Sequence, residues 1–203
     1  MPKLYTPDAE LGSQCPEFNL PSTAGGQVSR DFASRGAEAF LVMFICNHCP
    51  YVQAVESRLK LLYKMFVERK NPSGESLVSM VAISSNDTEK YGDDSFEKMK
   101  LKTYPFPYLF DESQDVAQNF GAVCTPDFFL FDKNMKLAYR GRLDDCWQDE
   151  SKVMSRDLAG AIESLLQGMN PNREQKPSMG CSLKWKPGKE PPPARPVSGG
   201  GKL

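Results

Sequence analysis

Apolar residues run without a break from Ala39 to Ile45, and a run of that kind predicts a strand covered on both faces. Directly after it, Val52, Val55, Leu59, Leu62 and Phe66 recur at spacings of 3, 4, 3 and 4, one stripe of a helix. Pro50 is tolerated in the first turn of that helix, and Arg69 and Lys70 close the last. Leu77 to Ile83 reads as a second buried strand. Asp94, with Glu97 three residues on, makes a capping pattern for a helix through about Tyr104. Ser113 to Phe120 predicts another short helix. Strands at Asp127 to Phe131 and Lys136 to Gly141 flank an Asp132-Lys133-Asn134 turn, the pattern of an antiparallel hairpin. A last helix, Ser155 to Gly168, places Leu158, Ala161, Ile162 and Leu165 on one side. Upstream, Glu17 to Leu20, a Ser22-to-Gly26 turn and Gln27 to Ser29 predict a small opening hairpin.

This order predicts an α/β fold, a central mixed sheet flanked by helices. Past the last helix, Met179, Cys181, Leu183 and Trp185 alternate with more polar positions, which predicts an extended, half-buried arm. Leu183 and Trp185 should face the body, and Lys184 and Lys186 water or the acidic body. The chain then divides into a body, residues 1–170, an arm, 171–190, and a disordered basic Pro/Gly-rich tail, 191–203. Charge follows this division: residues 171–203 hold seven Lys/Arg and two Asp/Glu, against eighteen and twenty-four in the body.

A net charge of -1 gives no field for gripping a phosphate backbone, so no nucleic-acid partner is expected. The apolar run at Ala39 falls well short of the ~18 residues of a membrane span. No membrane partner is expected either. The first residues carry no apolar stretch of the secretory kind, and the expected location is the cytoplasm. Gly201-Lys202-Leu203 resembles a Ser-Lys-Leu address, which keeps a peroxisome-like organelle as the alternative.

The chemistry centres on Cys46-Asn47-His48-Cys49, between the buried strand and the helix. Free N–H groups and the positive end of the helix dipole stabilise a thiolate there. A two-residue spacer lets one sulfur attack a mixed disulfide made by the other. His48, the only histidine, either adds a charge or hydrogen bond to the thiolate, making the disulfide more oxidising, or is a solvated first-turn residue. The pair can also be read as half a zinc site completed by His48, Cys124 or Cys181. No second C-x-x-C or H-x-x-H exists, so no metal and no cofactor are expected. Thr125-Pro126, before the predicted strand at Asp127, is by itself an ordinary trans bond.

These residues resemble the thioredoxin superfamily, and within it a peroxiredoxin-like branch that carries Phe44 to Val52 as they stand here. The resemblance extends to Cys15 to Phe18, Phe106 to Glu112, Val123 to Asp132, Tyr139 to Asp144 and Pro177 to Lys186. It implies a thioredoxin-like fold with an N-terminal extension and an insertion between the second strand and the cis-proline strand. It also implies Cys46 and Cys49 as the redox pair, with Pro126 as a cis-proline facing it and Thr125 beside it in the substrate groove. Two features depart from the relatives. Ile45 precedes the pair where thioredoxins have Trp, and Cys46 stands where peroxiredoxins have the threonine that precedes a peroxidatic cysteine.

Three readings follow. In the first, a thiol-disulfide oxidoreductase, Cys46 attacks a protein disulfide, Cys49 resolves the mixed disulfide, and a separate thiol reductant restores the pair. In the second, an antioxidant peroxidase, Cys49 attacks a hydroperoxide and Cys46 resolves, with Arg140 or Arg142 as the candidate peroxide-binding arginine. Both arginines read equally well as partners of Asp144 or Asp145. The third is a redox sensor or scaffold that binds a partner through the basic arm. Cys124, two residues before Pro126, is the candidate third redox partner, or else a small buried hydrophobe.

Overall fold

The computed structural model describes residues 3–8 and 10–191, so the expected tail from residue 192 on, with Gly201-Lys202-Leu203, lies outside the described residues. At the centre is a five-stranded mixed sheet built from β4 (Ala39–Phe44), β5 (Val78–Ser84), β6 (Tyr108–Phe110), β8 (Asp127–Asp132) and β9 (Leu137–Gly141), in the order β6-β5-β4-β8-β9. The first three run parallel, and β8 and β9 form the antiparallel hairpin. Two smaller units flank it: the opening hairpin of β2 (Asn19–Pro21) and β3 (Gln27–Ser29), and a sheet of β1 (Lys3–Tyr5), β10 (Met179–Ser182) and β7 (Cys124–Thr125) in the order β1-β10-β7.

Strand β4 shows why its sequence is apolar at every position. Ala39, Leu41 and Met43 face one core, beneath α2 (Pro50–Phe66) and α5 (Asp157–Leu166), while Phe40, Val42 and Phe44 face the other. That second core is closed by the hairpin and α4 (Asp115–Phe120), with Phe120 edge-on to Phe44 and Phe129 at 5.3 and 5.4 Å. The short helix α1 (Arg30–Ala33), capped by Ser29, links the hairpin to β4. On α2, the predicted stripe of Val52, Val55, Leu59, Leu62 and Phe66 is buried.

The structure departs from expectation in three places. Asp94 does not cap a helix reaching Tyr104: Gly92–Asp94 is a single 3-10 turn, followed only by α3 (Phe96–Met99), and the Asp94 carboxylate turns inward. The helix expected from Ser113 begins at Asp115, because Gln114 adopts a left-handed φ of 66° that sends its amide to the Ser85 and Lys184 carbonyls, at 2.6 and 2.9 Å. Lys184, expected to face water or the acidic body, is buried against the body, its ammonium meeting no carboxylate among the described residues but donating to the Ser182 carbonyl at 2.5 Å and lying over the Tyr91 ring. The arm docks as expected through Leu183, which is buried, and Trp185, which packs half-buried against the second core.

Candidate active site

Strand β4 ends at Phe44, and the chain enters α2 through Ile45 to Cys49, with Cys49 as N-cap and Pro50 in the first turn. Proline costs nothing there, since the first-turn N–H has no helical partner. Thr125-Pro126 is cis, as the resemblance implied, and brings the strand β7 against the pair. Thr125 Oγ1 lies 3.4 Å from Cys46 Sγ, and the Thr125 carbonyl accepts from Cys49 Sγ at 3.1 Å. Both sulfurs are buried, at 1% and 0% exposure.

The two thiols are unequal. Donation from the Cys46 thiol is the largest influence on Cys49; burial opposes it, and the Thr125 hydroxyl and the Val52 and Cys181 N–H groups add to it, taking Cys49 down to about 5. No full hydrogen bond closes between Cys49 Sγ and the helix, so the Val52 N–H acts as a dipole pointed at the sulfur. Cys46 is pushed well up by that same donation to Cys49, by burial and by the Asp94 carboxylate. The sequence reading places the attacking thiolate on Cys46; in the structure the groups that favour a thiolate lie around Cys49.

His48 does not serve that thiolate. Its Nδ1 lies 2.6 Å from Asp94 Oδ2 and 3.9 Å from Cys46 Sγ, and its ring stacks on Tyr91 at 5.4 Å. Asp94 is the site residue that sequence reasoning missed. Besides His48 Nδ1, its carboxylate accepts from the Asn47 N–H at 2.8 Å, the His48 N–H at 3.2 Å and Asn86 Nδ2 at 2.7 Å. One buried acid thus fixes the backbone between the cysteines. Cys46, His48 and Asp94 have ligating atoms within 4.8 Å of one another, the arrangement nearest to a metal site among the described residues. The oxygens of Asp94 are already occupied by those four donors, which leaves the trio shaped to hold a loop.

The remaining candidates lie elsewhere. Arg140 pairs with Asp127 at 2.8 Å, donates to the Gly121 carbonyl and stacks on Phe129. Arg142 pairs with Asp157. Neither pairs with Asp144 or Asp145 or hydrogen-bonds a site sulfur: Asp144 takes Arg58 at 2.5 Å instead, and Arg58 also holds the Cys146 and Trp147 carbonyls. Cys124 is buried with its Sγ toward the Pro126 carbonyl at 3.7 Å, and burial followed by the Asp127 charge pushes its thiol up. Cys181, in β10, stands opposite Thr125 in the strand pairing and shares a core cluster with Cys46 and Cys49. Beside Pro126 opens a cleft of about 340 Å³, lined among others by Tyr51, Cys146, Trp147 and Met179.

Residues 11–140 match the model of the AhpC/TSA family. An uncharacterised conserved protein from Geobacillus kaustophilus is similar along nearly its whole length, at 43% identity and a TM-score of 0.83, covering 92% of this chain and 98% of that one. A hypothetical protein from Sinorhizobium meliloti is 34% identical with a TM-score of 0.82, covering 91% and 99%. A protein assigned as thiol:disulfide interchange protein DsbE from Chlorobium tepidum shares the fold at 16% identity and a TM-score of 0.54, covering 78% and 96%. No curated protein matches.

Proposed function

The chain belongs to the AhpC/TSA family, with a thioredoxin-like fold, and on that premise we propose that it is a thiol-disulfide oxidoreductase in which Cys49 attacks and Cys46 resolves. The observations that carry this are the placing of Cys46 and Cys49 at the start of α2 against the cis Thr125-Pro126 segment, with Thr125 Oγ1 on Cys46 Sγ and the Thr125 carbonyl on Cys49 Sγ, and N–H dipoles that favour a Cys49 thiolate. They hold a thiolate ready beside a second thiol. Attack of Cys49 on a substrate disulfide forms the mixed disulfide and releases one substrate thiolate. Cys46 then attacks Cys49 Sγ, the second substrate thiolate leaves, and the pair ends as a disulfide. Pro126 edges the cleft that receives the substrate, together with Tyr51, Trp147 and Met179. A separate thiol reductant returns the dithiol, which suits a reducing compartment such as the cytoplasm.

One observation favours the peroxidase reading: with the sulfurs buried, a small oxidant reaches Cys49 more readily than a polypeptide does. Against it, Arg140 and Arg142 are both spent on carboxylates and offer no charge to a bound peroxide. The sensor reading loses support at the arm, where Lys184 turns inward. The test is turnover of insulin disulfides and of hydrogen peroxide by wild type, Cys46→Ser and Cys49→Ser. Disulfide turnover lost in both variants is the expected result. Peroxide turnover without disulfide turnover would establish the peroxidase, and a single stoichiometric reaction the sensor.

A further inference from the structure

The chain brings its own third sulfur to the pair. Strand β10 runs antiparallel to β7 with Cys181 opposite Thr125 and Ser182 opposite Cys124. Leu183 N–H donates to the Val123 carbonyl at 3.0 Å, and Ser178 Oγ to the Pro126 carbonyl at 2.8 Å. The arm therefore lies along the cis-proline segment and covers the backbone edge of Thr125. Gly180 lets it come so close: a Cβ there would stand 2.0 Å from the Thr125 carbonyl oxygen. On the other side β1 pairs with β10, so the arm is clamped from both edges.

Cys181 is 3% exposed and shares a core cluster with Cys46 and Cys49. Its place opposite Thr125, whose hydroxyl lies 3.4 Å from Cys46 Sγ, sets it beside the pair, and its N–H is one of the dipoles favouring the Cys49 thiolate. Cys124, the third partner that the sequence offered, points instead to the Pro126 carbonyl.

We propose that Cys181 is a third redox cysteine, which takes over the disulfide of the pair by exchange at Cys49 and so ties the arm across the cis-proline. This rests on the reading of Cys46 and Cys49 as a redox pair. In the step, the Cys181 sulfur gives up its proton and attacks Cys49 Sγ. The Cys46–Cys49 bond breaks, the Cys49–Cys181 bond forms, and Cys46 leaves as a thiolate that takes up a proton. Nothing is oxidised or reduced overall, because the two-electron oxidation delivered by the substrate disulfide is only moved. In the dithiol, burial and then the neighbouring Cys49 push Cys181 up to about 12. Once Cys49 is in a disulfide its negative charge is gone, and Cys181 ionises more readily at the moment it must attack.

Disulfide mapping tests this on the full chain. The reduced protein is oxidised with one equivalent of diamide, blocked with N-ethylmaleimide and digested with trypsin, which puts Cys46 and Cys49 on residues 36–58 and Cys181 on residues 174–184. The expected result is a cross-linked 36–58/174–184 mass in wild type and in Cys46→Ser. It should be lost in Cys49→Ser, and in both Cys181→Ser and Cys181→Ala, while the last two keep the internal 36–58 disulfide. Only the internal disulfide in wild type would overturn the proposal and leave the redox pair standing. A cross-link that survives in Cys49→Ser would overturn the exchange at Cys49. Neither disulfide in wild type would overturn the redox-pair reading itself.

Discussion

Cys49 and Cys124 are equally buried, each 0% exposed, and lie on either side of one cis-proline, yet their thiols are driven in opposite directions. Cys49 comes down to about 5 and Cys124 goes up. Burial acts on both alike, disfavouring the charged form. What differs is the set of polar groups aimed at each sulfur. Both face a carbonyl, Cys49 that of Thr125 and Cys124 that of Pro126, but Cys49 also meets a thiol, a hydroxyl and two N–H dipoles, whereas Cys124 meets the Asp127 carboxylate. Cys15 repeats the second case on the far side of the sheet: burial pushes it up to about 12, the Arg30 charge offsets only part of this, and its Sγ donates to the Pro16 carbonyl. The thiolate form is favoured where donors converge, and the end of a strand leading into a helix is where free N–H groups are found.

The sharpest way to break this comparison is to remove each sulfur in turn. Cys49→Ser should reduce thiol-dependent turnover to the uncatalysed background, because serine keeps the donors' geometry but ionises far outside the working range. Cys124→Ser should leave turnover near wild type. A wild-type rate in Cys49→Ser would show that the donors at Cys49 serve only packing.

The next effect is in pH. The thiolate fraction of Cys49 grows as pH rises through about 5 and is nearly complete by neutrality. Alkylation of the reduced native protein by iodoacetamide should therefore rise about tenfold per unit below that midpoint and level off above it. Peptide mapping should find the label on Cys49, with Cys124 and Cys15 modified only after unfolding. A midpoint near the ordinary thiol value would remove the difference between the two regions.

Much of this arrangement is legible in the sequence. The run Ala39 to Ile45, the stripe Val52 to Phe66 and the cysteine pair between them follow from periodicity alone, and the resemblance supplied the cis bond at Pro126. Asp94 escaped because a local pattern pointed elsewhere: with Glu97 it looks like a helix cap, while its partners Asn47, His48 and Asn86 come from other segments. Lys184 escaped for a related reason. Alternation places it opposite Leu183, but past β10 its N–H is held by Asn86 Oδ1 and its carbonyl by the Asp87 N–H and Gln114 Nε2, which lays its ammonium over the Tyr91 ring. Closeness in sequence to Pro126 makes Cys124 a candidate third sulfur, while nothing in the periodicity places Cys181. Strand pairing, which periodicity does not encode, puts Cys181 at Thr125.

Asp94→Asn tests the electrostatic half of the inequality within the pair. The carboxylate adds to what raises Cys46, so an amide should bring the second thiol ionisation down, read from the ultraviolet absorbance of thiolate against pH. The amide oxygen still accepts from the Asn47 and His48 N–H groups. The amide nitrogen cannot accept from Asn86 Nδ2, and leaving that buried donor unpaired should cost about 1–3 kcal/mol by denaturant unfolding. Loss of stability with no change in the second ionisation would make Asp94 a brace for the loop and nothing more.

The smallest effect belongs to His48→Ala, although His48 stands between the two cysteines. Its Nδ1 is committed to Asp94, and the nearer sulfur, Cys46, lies 3.9 Å away. Three other donors remain on the Asp94 carboxylate after the imidazole is removed. The loop should keep its shape, with a stability loss of about 1 kcal/mol for the hydrogen bond removed. The alkylation midpoint of Cys49 should stay in place, because none of the groups that lower it belongs to His48. A midpoint that instead climbs toward the free-thiol value would show that His48 reaches the thiolate through the Asp94 network. Repeating the measurement in the Asp94→Asn background would decide this, since an effect carried by that network should vanish once the carboxylate is gone.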